Sequence, residues 1–328
     1  MLGKVLITGA AGFIGSHLCS RLYKDGWGIT AVDNLSHGKK ENLGNLIGLD
    51  GYKFITGDVR DKALIIDAAM DAHVIIHLAS YKIPRYGQVE ETLSINLEGT
   101  ESILEASRQA GARVIYASTE DVYGKNTDIP LPEEAELIIG SPTSSRWSDA
   151  VSKICAEQLC YSYLEAFDTQ FTIIRFGNIY GPYNRVDWWG GVPGVFIDKA
   201  LRKEKLPIHG NGIQFRAFLY IDDAVEAITS ILENKNVNGE VINIGSDYPI
   251  RVINLAYLIW RLTGNQGKPE FEFIPYEDLS PNYEDVKRRV LDISKARLLL
   301  DFSPTCDLKT GISKTITWYR EICGELRK

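Results

Sequence analysis

The stretch Val5-Leu6-Ile7-Thr8-Gly9-Ala10-Ala11-Gly12-Phe13-Ile14-Gly15 decides how the rest of the chain is read. Lys4 to Thr8 is a short apolar run of strand type, and Ser16 to Lys24 repeats apolar residues at helical spacing. The glycines therefore sit on a strand-to-helix turn. Such a turn brings backbone close to a pyrophosphate, whose charge is met by free N–H groups at the helix start. The spacing is GxxGxxG, and glycine turns also serve merely to pack a helix on a sheet, so the flanking strand and helix carry the case. Gly9, Gly12 and Gly15, with Phe13 and Ile14, are the candidate dinucleotide contacts.

Working outward, Asp33 closes the second strand 24 positions after Gly9, followed by Asn34. A carboxylate there accepts hydrogen bonds from an adenosine ribose and repels a 2′-phosphate, which favours NAD. Lys39 and Lys40 follow closely and could take such a phosphate. In Gly57-Asp58-Val59, after the third strand, Asp58 either faces the adenine edge or is a simple turn acid.

Lys4 to Thr8, Gly28 to Asp33, Tyr52 to Thr56, Val74 to Leu78, Arg113 to Ser118 and Thr172 to Phe176 read as strands. Ser16 to Lys24, Asp61 to Met70, Asn96 to Ala110 and Asp149 to Phe167 read as the helices between them. Strand and helix in alternation specify an α/β fold with a Rossmann-type doubly wound parallel sheet. After Phe176 the rhythm breaks at Gly181-Pro182, Trp188-Trp189-Gly190-Gly191 and His209-Gly210-Asn211-Gly212. Asp222 to Glu233, Val252 to Leu262 and Gly311 to Arg320 still read as helices, and Val241 to Ile244 as a strand. Residues 1–176 are expected to hold the dinucleotide. Residues 177–328 would form a smaller α/β substrate-binding part, with some segments returning to the first body.

The 43 acidic and 36 basic residues among 328 give a net charge of −7, with no basic run able to track a nucleic-acid backbone. The five cysteines form no CxxC pair and no metal-ligand spacing with the five histidines. No apolar run approaches the ~20 residues of a membrane span, and the chain start lacks an export signal, so a cytoplasmic setting is expected.

The chain resembles the extended short-chain dehydrogenase/reductase family, in its branch of nucleotide-sugar epimerases, dehydratases and decarboxylases. The likeness rests on Ile7-Thr8-Gly9-Ala10-Ala11-Gly12-Phe13-Ile14-Gly15-Ser16-His17-Leu18, Gly57-Asp58-Val59-Arg60-Asp61, His77-Leu78-Ala79-Ser80-Tyr81-Lys82, Ser118-Thr119-Glu120-Asp121-Val122-Tyr123-Gly124, Arg175-Phe176-Gly177-Asn178-Ile179-Tyr180-Gly181-Pro182 and an Arg-rich segment before Asp292. The resemblance implies that Leu78, Ala79, Ser80 and Lys82 line the nicotinamide side of NAD and that Asn96 locks a helix. It further implies that Asn178, Arg216 and Arg288, with Arg289 as its rival, bind the diphosphate of a nucleotide sugar, a UDP-hexose by preference. Two guanidiniums suit a diphosphate, because each offers a planar fork of donors. Ala217 stands where the family usually has Asp. A homodimer through Asn96 to Ala110 and Asp149 to Phe167 is implied as well.

The family oxidises a sugar carbon transiently, and its base is the Tyr of a YxxxK motif. Arg146-Trp147-Ser148-Asp149-Ala150-Val151-Ser152-Lys153 resembles RWxYxxSK but carries Asp149 in the Tyr position, with Lys153 in place. An aspartate is shorter than a tyrosine, and its reference pKa of ~3.9 against ~10 makes it the weaker base; Lys153 beside it is expected to weaken it further or simply to pair with it. Thr119 matches the hydroxyl that bonds the oxidised oxygen. Glu120-Asp121 reverses the Asp-Glu order of the dehydratases, so elimination stays open beside 4-epimerisation. A third reading is a silent protein that binds NAD and nucleotide sugar without turnover. Tyr81, Tyr86, Tyr123 and Tyr180 are candidate stand-ins for the missing phenol, and Lys82 with Arg85 could place positive charge near the sugar.

Overall fold

The computed structural model describes residues 2–82, 88–279 and 282–325, with side chains to residue 321. Tyr86 and Arg85 lie outside the described residues. The first half alternates β1 (Lys4–Thr8), α1 (Phe13–Lys24), β2 (Gly28–Asp33), β3 (Tyr52–Thr56), α2 (Lys62–Ala69), β4 (Val74–His77), α3 (Val89–Ala110), β5 (Arg113–Thr119), α4 (Ser148–Phe167) and β6 (Phe171–Phe176). After β7 (Asn178–Tyr180) come α5 (Gly191–Leu201), β8 (Leu206–His209), β9 (Phe215–Tyr220), α6 (Ile221–Glu233) and β10 (Val241–Ile244). The chain closes with β11 (Pro249–Arg251), α7 (Val252–Leu262), β12 (Phe271–Ile274), β13 (Arg288–Arg289), α8 (Ser294–Leu300) and α9 (Leu308–Glu325).

Seven parallel strands run in the order β10-β6-β5-β4-β1-β2-β3, the reversal beside β1 marking a Rossmann-type doubly wound sheet. Their near-continuous apolar sequences follow from burial on both faces. In β1, Val5 and Ile7 enter one core while Leu6 enters the other; in β4, Val74 and Ile76 oppose Ile75 in the same way. Leu18 and Leu22 of α1 pack into the first core, and Ile65 of α2, Ile103 of α3 and Ala156 of α4 into the second. β10 starts 65 residues after the end of β6 yet joins the first sheet beside it, Ile242 opposite Ile174. A smaller sheet sets β9 between β11 and β13 with β7 alongside, and β12 pairs with β8.

α3 starts at Val89, seven residues before the expected start at Asn96, which puts Asn96 in mid-helix. Gln88 before it has φ of 75° and provides no side-chain cap, so the usual start signal is missing. The region after Phe176 holds α5, α8 and six strands besides β10 that periodicity does not reveal.

One buried ion pair braces the sheet behind the site. Arg175 of β6 meets Glu157 of α4 through Nη2 at 2.7 Å and Nε at 3.0 Å, and Ser118 Oγ donates to the same carboxylate. Both partners are nearly excluded from water, at 7% and 5% exposure. Arg175→Met strands the Glu157 charge and is expected to destabilise by about 3–5 kcal/mol, read as a lower urea midpoint.

Candidate active site

Two cavities open at the carboxyl ends of the parallel strands, and they share a wall. The larger, about 1000 Å³, runs along the glycine turn past Asp33 and Asn34 to Leu78, Ala79, Ser80 and Lys82. The smaller, about 350 Å³, is lined by Thr119, Asp121, Arg146, Asp149, Lys153, Asn178, Arg216 and Arg289. Phe13, Ile14, Leu78, Ser80, Lys82, Ala117 and Trp189 line both.

The larger cavity fits a dinucleotide. Gly12 caps α1 without a side-chain hydrogen bond and no acidic residue stands in the first turn, so the helix start offers its N–H groups to an anion. Gly9 has φ of 68°, and a Cβ on Gly15 would come within 2.2 Å of Gly9 O, so only glycine allows this approach of turn and helix. Asp33 secures the turn from below, accepting from the Ala11 and Leu35 N–H groups at 3.0 and 2.8 Å. Burial pushes its carboxyl up while those bonds pull it down. Val59 lines the cavity, whereas Asp58 is tied to Arg60 by two side-chain bonds of 2.9 Å and to Asn34 at 3.1 Å; the Arg60 contact holds it well below the usual range. Asp58 is thus occupied as a turn acid and does not line the cavity. Trp189 closes the wall, its ring 3.9 Å from that of His37 and edge-on to Tyr81 at 4.9 Å.

Asp149 enters from the first turn of α4, which faces mid-α3. It is 4% exposed, and its Oδ1 accepts from Asn96 Nδ2 at 3.3 Å. The same amide donates to Ser152 Oγ at 2.9 Å and to Tyr81 O, while Asn96 Oδ1 accepts from Ser80 Oγ and the Tyr81 N–H. Asn96 therefore pins the loop after β4 to α4. The expected Asp149–Lys153 pair does not form: Lys153 Nζ donates to Ala117 O at 2.7 Å and lies over the Tyr116 ring. The expectation of a weakened base is reversed too. Burial outweighs Lys153, Arg146 and Lys82 and carries the Asp149 carboxyl up to about 7, while burial brings Lys153 down to about 8. Lys82, crowded in the cleft, is shifted down for the same reason.

Thr119 ends β5, and its Oγ1 accepts the Asp121 N–H at 3.2 Å, which leaves its own proton to donate. Glu120 and Asp121 diverge. Burial raises Glu120 to about 7; its Oε1 accepts from Asn178 Nδ2 at 2.6 Å, and it does not line the smaller cavity. Burial would raise Asp121 as well, but Arg146, at 2.8 Å, and Arg289 hold it well below the usual range.

The arginines sort differently from the expectation. Arg216 lines the cavity but gives Nη1 to the Phe215 and Val286 carbonyls and Nη2 to Asp285 at 2.9 Å. Arg288 is exposed, its guanidinium over the Phe215 ring and away from the cavity lining. Arg289, next along β13, is buried in the cavity wall. Of the substitute phenols, Tyr123 bonds Asn243 and Arg175, Tyr180 is buried against Leu308 O, and Tyr81 lines only the dinucleotide cavity. Sequence reasoning assigned no role to Arg146, Trp189 or Asp285; Arg146 stood in view within the RWxYxxSK-like segment, and the adjacent tryptophans before two glycines were a visible signal for Trp189.

Residues 5–245 match the model of the NAD dependent epimerase/dehydratase family. A UDP-N-acetyl-alpha-D-glucosaminuronate decarboxylase of Bacillus cytotoxicus is 36% identical over 98% of this chain and 99% of its own. A UDP-glucose 4-epimerase of Mycolicibacterium smegmatis is 31% identical over 97% of this chain and 98% of its own. A crystal structure of the UDP-glucuronic acid 4-epimerase of Bacillus cereus with UDP-glucuronic acid and NAD superposes with a TM-score of 0.87 at 29% identity, covering 97% of this chain and 99% of that one.

Proposed function

Because the chain belongs to the NAD dependent epimerase/dehydratase family, we propose that it oxidises a UDP-linked hexose at C4 and returns the 4-keto sugar as its C4 epimer, with Asp149 as the base. It is an NAD-dependent nucleotide-sugar enzyme. The observation that carries the finer reading is the shared wall: Asp149, Thr119 and Lys153 line a small cavity that meets the dinucleotide cavity at Ile14, Ser80 and Lys82. NAD, when bound, supplies hydride acceptance and hydride return at the sugar carbon.

The residues of the chain handle the proton. Thr119 keeps its O–H free to steady the sugar oxygen as charge builds on it. Asp149 takes the hydroxyl proton, with a pKa matched to neutral pH. Lys82 and Lys153 supply the local positive charge that favours the ionised carboxylate. Elimination has less support, since Asp121 is clamped between two guanidiniums and Glu120 faces Asn178. A C6 carboxylate would lie β to the C4 ketone, so the same oxidation also serves the decarboxylation named in the Bacillus cytotoxicus relative.

Incubating the NAD-loaded protein with UDP-glucose, UDP-N-acetylglucosamine and UDP-glucuronate and following the sugar by NMR tests the reading. A C4-inverted sugar is expected; a 4-keto-6-deoxy product would replace epimerisation by elimination, and three unchanged substrates would leave the silent reading standing. A homodimer through α3 and α4 belongs to the same proposal, supported by Val151, Tyr161 and Phe167, exposed apolar residues of α4. So does a cytoplasmic setting: the four described cysteines are free, and among the described residues no helix is long and apolar enough to cross a membrane.

A further inference from the structure

Residues 184–190, between β7 and α5, form a loop braced by its own polar groups and by α9. Asn184, buried at its base, donates through Nδ2 to Gly190 O at 2.9 Å, and Asp187 Oδ1 accepts the Trp189 N–H at 3.0 Å. Tyr319 of α9 ties the base down by donating to Asn184 O at 2.7 Å. Arg185, Val186, Asp187 and Trp189 line the dinucleotide cavity, and Trp189 lines the smaller one too. Across the cavity its ring lies against His37, with 3.9 Å between centroids and 30° between planes, and meets Tyr81 edge-on at 4.9 Å; His37 and Tyr81 themselves meet at 5.6 Å. His37 follows β2 and Tyr81 follows β4, and the strand order β4-β1-β2 places their loops on either side of β1, which carries the glycine turn. The three rings thus join three loops into one span across the turn.

Rings this close leave no passage between them, yet what holds them together is slight. Aromatic pairs contribute little each beyond their buried area. Among the described residues no hydrogen bond joins the three side chains, so parting them strands no buried polar group. Arg185 and Val186 are exposed, and the loop can lift without unpacking a core. We infer that His37, Tyr81 and Trp189 form a clasp over NAD, opened when residues 184–190 carry Trp189 away, and that this opening gates the passage of the cofactor. This rests on NAD occupying the larger cavity; the clasp governs how the cofactor enters and leaves, not the sugar chemistry. Because the rings bind one another, the clasp has to open for entry as well as for exit. A wall contact works differently, since a side chain that merely touches the dinucleotide slows its release and leaves its entry alone.

Stopped-flow fluorescence of the reduced nicotinamide tests the clasp on the full chain, through NADH uptake by the cofactor-free protein and NADH release when the loaded protein is mixed with excess NAD. Trp189→Ala removes two of the three ring contacts. It is expected to speed uptake and release together, each by about 10- to 100-fold, with the equilibrium affinity changed far less. His37→Ala, which takes away the opposite face, is expected to move both rates the same way, and Trp189→Phe to restore both toward wild type. Faster release with unchanged uptake makes the rings separate wall contacts and overturns the clasp; so do unchanged rates in both alanine variants. Either result leaves the cofactor reading intact. If Trp189→Ala fails to fold, His37→Ala decides by the same two rates. A wild-type protein that takes up no NADH overturns the clasp and the cofactor reading together.

Discussion

Asp149→Asn is expected to lower kcat by about 10²- to 10⁴-fold, the usual contribution of a positioned base, while the protein still retains NAD. Asparagine keeps the oxygen that accepts from Asn96 but cannot take a proton. The wild-type rate should climb with pH and level off above about 7, as the buried carboxyl ionises; the variant should lack that limb. Stability carries the opposite sign. The folded carboxyl titrates near 7, against ~3.9 when unfolded, so between those values the native state holds a proton that the unfolded chain gives up. The wild type therefore loses stability as pH rises from about 4 to 7, and the loss is complete above 7. Asp149→Asn escapes that cost and is expected to melt higher at pH 8, by on the order of 2 kcal/mol, with the difference vanishing near pH 4. A variant as active as the wild type at pH 8 would remove Asp149 from the chemistry.

Gly15→Ala is expected to damage both the fold and the cofactor turn. The new methyl would stand 2.2 Å from Gly9 O and 2.8 Å from Ala10 Cα. Both are backbone atoms that no rotamer change can move aside, so α1 must shift from the turn. The cost is about 3 kcal/mol, the upper range for overpacking, and the N–H groups at the helix start lose their aim. Thermal melting and the 260/280 nm absorbance ratio of the purified protein report both effects. Melting within a degree of wild type with NAD still bound would contradict the account. Gly12→Ala is the control, since among the described residues its Cβ would meet only Gly9 O, at 3.1 Å.

Much of the first half was legible because its physics is local. β1, β2 and β3 are apolar runs bounded by turn residues, and their limits agree residue for residue with the reading. β7 and β13 were not legible: strands of three and two residues exist only because β9, more than 30 residues from the one and 65 from the other, offers a partner. Most of the motif residues line the two cavities, whereas Asp58, Asn96, Glu120 and Arg288 do not. What the sequence could not disclose was the balance of forces on each group. Nothing in Asp149-Ala150-Val151-Ser152-Lys153 says that Lys153 turns to Ala117 O, or that burial outweighs the neighbouring cations. Arg216, Arg288 and Arg289 look alike in the sequence, and only their neighbours tell a fully engaged guanidinium from one with unpartnered nitrogens.

The pairing of β10 with β6 has a consequence for synthesis on the ribosome. When Phe176 leaves the exit tunnel, β6 already has β5 on one side, but its other edge waits some 65 residues for Val241 to Ile244. Through that interval a row of backbone donors and acceptors flanked by Ile173 and Ile174 stays open to any passing strand. The nascent chain thus passes through a stage in which nearly all of its cofactor half exists and none of it is sealed, and its yield in the cell depends on how translation speed and chaperone capture cover that gap.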